Sequence, residues 1–324
     1  LWEKLTCISN KPLYMDFVFY CRKEAPSLIS NFAFLEKDFP VLANFGRLAE
    51  EYCYSDSNSS LMKLGMIGET IVNLMFSYDR IPLPADNTAV KRIDTLFREG
   101  MLTRDLVDIL HALRKIRNKA AHENYTNVQE GKTLLQMAHS LCEWFMQTYG
   151  DWGYIAKPFV MPEEQTVAKA DPEKEKAEEE RLGKEAAEKA AAAEAIAREE
   201  RRKQAGRAAS QRQKSEAETR YMIDEQLRQV GWEVDTENLR YSKGARPAKG
   251  RNLAMAEWPT NSAAGNKGRA DYALFVGLKL VGIIEAKAEH KDIPSVIDYQ
   301  GKDYPRNIRA GDEPYLIGSW GEYK

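Results

Sequence analysis

Apolar residues recur at helical spacing through the first half of the chain. Leu42, Phe45, Leu48 and Tyr52 fall three or four positions apart, and Leu106, Ile109, Leu110, Leu113, Ile116 and Ala120 keep the same period. Over residues 30–155 this pattern predicts an all-α bundle of about five helices. Pro82 and Pro84 break the chain before one of them, and Asn87 is placed to cap it. Residues 1–29 read as an N-terminal extension.

From about 163 to 214 the composition changes to Ala, Glu, Lys and Arg with almost no aromatic residues. These residue types favour helix, and pairs such as Glu185 with Lys189 and Glu194 with Arg198 have the i,i+4 spacing that supports one. No heptad of large apolar residues is sustained, which argues against a dimeric coiled coil. The segment 156–214 is therefore expected to be a solvated helical linker, acidic first and basic later (Arg198, Arg201, Arg202, Lys203, Arg207, Arg212, Lys214). The sharper alternative is a basic stripe that tracks DNA.

Residues 215–324 switch to an α/β pattern. Met222, Ile223, Leu227 and Val230 lie on one side of a helix over 216–230, ended by Gly231, and Trp232 to Val234 begins extended structure. The stretch Tyr241 to Lys267 is rich in Gly, Ala, Pro, Asn and Lys and reads as a long loop. Two strands are expected at Asp271–Val276 and Leu280–Lys287, joined by Gly277-Leu278-Lys279. A helix at about Pro294–Tyr304 and a strand at Tyr315–Gly318 follow. The chain opens on Leu1 and stops at Lys324 without a closing element, as expected of a piece of a larger polypeptide.

Composition narrows the classes. The 324 residues suggest about two domains, and 43% hydrophobic content is enough for real cores. No run approaches the ~18 apolar residues a membrane helix requires. Cys7, Cys21, Cys53 and Cys142 form no C-x-x-C pair, so they read as thiols of a reducing, cytoplasmic setting rather than a disulfide frame or zinc site. His111, His122, His139 and His290 are equally scattered. The net charge of −2 does not advertise a nucleic-acid binder, but it averages over unlike segments. Glu130-Gly131-Lys132-Thr133 looks like the end of a P-loop, yet Thr126 stands where its first Gly belongs and no strand precedes it, so ATP binding is not encoded here.

The chemistry concentrates at Asp271 and Glu285-Ala-Lys287. Glu285 and Lys287 are two apart on a predicted strand and share a face. A hairpin turn centred on Leu278 sets position 271 opposite 285, and directly opposed Cβ atoms stand about 4.5–5.5 Å apart. Two carboxylates so placed suit a hard cation such as Mg²⁺, one ion or two, which neutralises an anionic phosphodiester and activates water. Lys287 is then close enough to orient that water or stabilise the transition state. The bland alternative is an amphipathic strand with exposed charges. Against it, Glu285 follows the apolar run Val281, Ile283, Ile284, and a buried carboxylate needs a partner.

This set resembles the D…(E/D)-x-K core of the PD-(D/E)xK nucleases. Thirteen residues after Lys287, Gln300-Gly-Lys-Asp-Tyr304 adds a Q-x-x-x-Y pattern whose ends share a helix face. With Ser215-Glu-Ala-Glu218-Thr-Arg220 and Gly231-Trp232 before it, the order is similar to that of the nuclease domain of the R subunits of type I restriction–modification enzymes. The helical region from Ser30 looks like the domain of unknown function that precedes that nuclease. The resemblance implies a multidomain chain: helical bundle, charged helical linker, and a restriction-endonuclease-like α/β domain over 215–324. It implies Mg²⁺-dependent cleavage of double-stranded DNA, with Asp271, Glu285 and Lys287 catalytic, Asp271 and Glu285 holding metal, and Gln300 and Tyr304 as the Q-x-x-x-Y motif. Glu218, preferred to Glu216, would be the first-helix acid, and Arg220 a phosphate contact. Methyltransferase and specificity subunits would be partners, and ATP would act only through a motor outside this chain.

A second class remains open. Arg117, Asn118 and His122 look like the R-x4-H pattern of HEPN-type helical domains, some of which cleave RNA with the His as acid or base. The helical region would then be a minor ribonuclease or, more simply, a non-catalytic module that docks partner subunits or nucleic acid.

Overall fold

In a computed structural model of the protein, the described residues are 30–164, 172–193, 198–212, 215–261, 267–284 and 310–317. Five α-helices fill the bundle region: α1 (Pro40–Ser55), α2 (Ser57–Tyr78), α3 (Ala89–Arg98), α4 (Arg104–Glu123) and α5 (Val128–Tyr149). Side-chain caps mark several starts, with Asp56 accepting from the Ser59 amide and Asn127 from the Glu130 amide. The cap of α3 is Thr88 rather than Asn87, whose side chain instead accepts from Arg92. Leu106, Ile109, Leu110, Leu113, Ile116 and Ala120 all turn inward, as their spacing requires. Helix α5 is central. It packs on α1, α2 and α4 and buries Leu134, Leu135, Leu141, Trp144 and Phe145. At Gly65 of α2 an added Cβ would sit 2.2 Å from the Cβ of Arg117, so only glycine allows α2 and α4 to approach this closely. Glu130 to Thr133 lies within α5, where no phosphate-binding loop can form.

The charged segment is not a solvated spacer. Helix α6 (Pro172–Ala192) lays Leu182, Ala186 and Ala190 against the bundle, and α7 (Arg198–Gln211) lays Ala205 and Ala208 there. A stripe this narrow contributes little by area, about 2–3 kcal/mol for the leucine and less for each alanine. Polar contacts make up the difference. Lys63 of α2 pairs with Glu175 and Glu179 of α6, Trp144 donates its indole N–H to the Ala205 carbonyl at 3.1 Å, and Arg201 reaches Asp79 at 2.9 Å. Arg201 is 2% exposed and also lies over the ring of Tyr149, which itself donates to Asp79. A charge this deep requires its counter-charge.

The C-terminal region begins with α8 (Glu216–Gln229), capped by Ser215, which accepts from the Glu218 amide at 3.0 Å. The sheet has the order β1-β2-β3-β4, from β1 (Glu233–Val234), β2 (Asn252–Asn261), β3 (Lys267–Val276) and β4 (Lys279–Ile284). Strand β1 is parallel to β2, and the other pairs are antiparallel. Strand β2 runs through the stretch read as a loop. It is buried on both faces, Leu253 and Met255 packing with Ala273 and Phe275, and Ala254 and Ala256 with Leu227 and Tyr272. Small Ala residues on one face hide the alternation that announces a strand. Tyr315 belongs to a 3-10 helix (Ala310–Tyr315) rather than a strand. Among the described residues, no helix is long and apolar enough to cross a membrane.

His139 of α5 is 3% exposed, boxed by the rings of Phe32, Phe34 and Phe159 at 5.5, 5.6 and 5.3 Å. Burial drives its pKa from 6.5 down to about 4. The unfolded chain therefore binds a proton that the fold refuses between these values, so the contribution of His139 is full above pH 6.5 and is lost as pH falls toward 4. Glu143, 3.7 Å away, has a burial-raised pKa that acts in the opposite direction. His139→Gln is expected to remove about 3 kcal/mol of acid-dependent destabilisation. The measurement is urea unfolding of both proteins across that range; parallel pH profiles would refute the assignment.

Candidate active site beside Asp271

The β3–β4 hairpin turns on Gly277-Leu278, with positive φ at Gly277 only, the pattern of a type II′ turn. Val276 pairs with Lys279 and Phe275 with Leu280, one residue tighter than a turn centred on Leu278 would give. A bulge at Val281 then restores the difference, so Leu274 faces Gly282, Ala273 faces Ile283 and Tyr272 faces Ile284. On the side of the turn nearest Asp271 the register is thus the one that centring assumes. Glu285, Lys287, Gln300 and Tyr304 lie outside the described residues.

The other edge of β3 is irregular at the same place. Ala256 pairs with Tyr272 and Trp258 with Ala270, the ladder stepping over Glu257 and Asp271 between them. Glu257 has φ +51, a left-handed conformation unusual for a residue with a side chain. Arg220 of α8 joins the two acids, reaching Glu257 at 3.5 Å and Asp271 at 3.8 Å, and it pairs with Glu216 at 2.9 Å. Arg240 and Arg269 also reach Glu257, at 3.3 and 3.1 Å. Burial alone would depress the pKa of Arg220, but the charges of Glu216, Asp271 and Glu257 outweigh it and raise the value. Arg220 is therefore a fixed cation beside Asp271.

The two acids at the start of α8 have different partners. Glu218 is buried and held by Arg212 through both carboxylate oxygens, at 2.7 and 2.9 Å, so its charge is spent on the α7–α8 junction. Glu216, two positions earlier at the first residue of the helix, is the acid linked to Asp271 through Arg220. Position N3 of the helix thus sets Glu218, the acid preferred from the sequence, at the junction with α7.

What holds these parts together is a knot around Tyr272, the neighbour of Asp271 on β3. Its hydroxyl meets Asp224 at 2.8 Å and Thr236 at 3.0 Å. Asp224 in turn accepts from the Thr236 amide at 3.1 Å and its hydroxyl at 2.8 Å. Burial first, then the charge of Asp224, pushes the Tyr272 phenol well above its usual range, so it remains a donor. Helix α8, the loop after β1 and the sheet are thereby locked, and Asp271 and Arg220 with them.

A cleft of about 1050 Å³ opens between α4, α5, α8 and the loop after β1. Its walls carry Lys115, Lys119, Arg220, Arg228, Arg240 and Lys243 among acidic residues. The donors beside Asp271 are hard oxygens, the kind that suits Mg²⁺. Among the described residues, no group of three or more His, Cys, Asp or Glu is arranged to hold a metal.

The second motif is dispersed. Arg117 and His122 both lie on α4, and five residues on a helix are about 140° apart. Arg117 turns to Glu69 of α2 at 2.5 Å, while Asn118 and His122 are exposed. The helix does not set Arg117 and His122 on one face. Glu257, Arg240 and Arg269, by contrast, were not candidates from sequence: Glu257 falls in the missed strand. Had β2 been read, its register would have placed residue 257 across from 271.

Residues 233–320 match the family model described as "Type I restriction enzyme EcoKI endonuclease subunit second domain". Residues 49–181 match a "Domain of unknown function (DUF4145)", a span that continues from the bundle into α6. The chain is 32% identical to the Type I restriction enzyme EcoKI endonuclease subunit of Escherichia coli (strain K12), over an alignment of 320 residues covering 82% of this chain. It spans 27% of the length of that curated relative. No solved structure matches.

Tyr272→Phe is expected to cost about 1–3 kcal/mol, because the buried Asp224 carboxylate loses a donor that water cannot replace. Denaturant unfolding followed through Trp232 and Trp258 measures it. Wild-type stability in the variant would show that the knot does not hold the site.

Proposed function

Because this chain is a relative of the endonuclease subunit of type I restriction enzymes over 82% of its length, we propose that it is the nuclease-bearing portion of such a subunit and cuts double-stranded DNA. The observation that carries the reading is the register at Asp271. Tyr272 faces Ile284, and in this reading the pairing continues by one step, so that the acid on β3 meets the E-x-K pair. In this reading residues 215–324 are a PD-(D/E)xK domain, with Asp271 and Glu285 holding Mg²⁺ and Lys287 beside them. Bound there, the ion neutralises phosphate charge and lowers the pKa of its water.

The chain's own residues then have distinct tasks. Asp271 is anchored by the Tyr272 knot and accepts cation charge. Lys287, two residues beyond Glu285, donates to the attacking water or to the oxygens gaining charge. Arg220 offers its guanidinium to a neighbouring phosphate, and Gln300 and Tyr304 orient the backbone from the following segment. Sequence recognition and methylation belong to partner subunits, and ATP-driven translocation to a motor outside this chain.

The test is Mg²⁺-dependent cutting of plasmid by the assembled complex with ATP. Glu285→Ala and Lys287→Ala are each expected to lower the rate by at least about 100-fold, the scale of removing a group that stabilises transition-state charge. EDTA is expected to stop cutting. Undiminished cutting by both variants rejects the assignment. His122→Ala is expected to cut at the wild-type rate, since α4 does not pair His122 with Arg117; severe loss of restriction would return the helical domain to the chemistry.

A further inference from the structure

Three guanidinium groups converge on one carboxylate at the rim of the proposed nuclease site. Arg220 comes from α8, Arg240 from beside the 3-10 helix Tyr241–Lys243, and Arg269 from β3, and each reaches Glu257 within 3.5 Å. Two of them are aimed by other interactions. Arg240 donates to the Thr236 carbonyl at 3.0 Å, and Arg220 is braced by Glu216. The carboxylate they share is presented by a residue at φ +51, in a stretch of β2 that leaves the ladder. A left-handed non-glycine residue costs about 1 kcal/mol or more. This chain sets that conformation where it aims an anion into a fan of cations.

Carboxylate and phosphate present the same geometry to arginine, two oxygens matched to the planar fork of donors. We propose that Arg220, Arg240 and Arg269 form a clamp for one DNA backbone phosphate next to Asp271, and that Glu257 occupies the seat of that phosphate until DNA arrives. The proposal rests on the nuclease reading for the identity of the polymer. Positions along the chain support the placement. Arg269 lies two residues before Asp271 on β3, and Arg220 already touches both acids. Arg220 and Arg240 also line the cleft, whose other cations stand among as many carboxylates, Lys115 paired with Glu225 and Lys243 with Glu237, so the unshared positive charge is concentrated at the clamp itself. Glu257 keeps the three cations oriented and neutralised without DNA, and entry of a phosphate exchanges one anion for another. Glu257 is thus a positioning residue, distinct from the groups that hold metal.

The experiment measures binding of a short non-specific DNA duplex to the intact polypeptide in EDTA, where no cutting occurs, as a function of salt. Removing one cation that neutralises a phosphate lowers the slope of log K against log salt by about 1. Arg240→Ala and Arg269→Ala are expected to weaken binding at low salt, and the double variant to flatten the slope by about 1, the loss of one neutralised phosphate. Glu257→Gln keeps size but removes the competing charge and one of the two accepting oxygens, and is expected to bind roughly two- to fivefold more tightly, the scale of one charge pair near a surface. Weaker or unchanged binding by a folded Glu257→Gln overturns the stand-in role, and slopes unchanged in the double arginine variant overturn the clamp. Inorganic phosphate at millimolar concentration provides a second reading on the unaltered protein: competition with the duplex that is lost in the double arginine variant supports the seat, and no competition overturns it. These outcomes are separable from the nuclease reading, which fails through undiminished cutting by Glu285→Ala and Lys287→Ala and does not depend on binding slopes.

Discussion

The candidate site depends on an interruption in a ladder. Between Ala256–Tyr272 and Trp258–Ala270, the two central strands step past a pair of acidic residues, Glu257 and Asp271. A regular antiparallel pair would have buried these positions among Met255, Ala273 and Phe275 or turned them to the α8 face, and neither surrounding solvates a carboxylate. The irregularity resolves the conflict by lifting one acid into a left-handed conformation and giving both a guanidinium. Everything proposed for Asp271 requires that this local distortion be held, and the hydrogen bonds among Tyr272, Asp224 and Thr236 hold it one residue away.

The same economy of charge appears in the helical region. Helices α6 and α7 carry few large apolar side chains, yet they dock because their charges meet partners on the bundle: Glu175 and Glu179 at Lys63, and Arg201 at Asp79. Arg212, just past α7, ties the end of this segment to the start of α8 through Glu218, and α5 touches both α7 and α8. The bundle, the charged helices and the sheet thereby form a connected body in which the cleft beside Asp271 has one wall from the bundle and one from the α/β region.

Tyr272 and Ile284 show how a turn read from sequence and the observed turn can differ and still converge on one register. The turn is shorter than expected, and the bulge at Val281 compensates. Bulges are invisible to a two-residue periodicity unless both strands are already known. The same blindness hides β2, whose Leu253-Ala-Met-Ala run is apolar on both faces, and with it Glu257. The charged helices escape sequence reading for another reason: their stripe of Leu182, Ala186 and Ala190 is too thin to register as amphipathic, and partners such as Lys63 lie more than a hundred residues away in the chain.

By itself the sequence determined the elements with strong local signals. These are the five bundle helices with their inward-facing leucines and isoleucines, the helix after Ser215, the hairpin around Gly277, and the acid and E-x-K spacing that suggests a metal-dependent nuclease. Only the tertiary structure decided which charges meet. It sent Glu218 to Arg212, left Glu216 and Arg220 at Asp271, turned Arg117 away from His122, and gathered three arginines on Glu257. The physical reason is range. Helix and strand periodicity are set by neighbours within a few residues, whereas an ion pair depends on where distant backbones bring two side chains and on how little water remains between them.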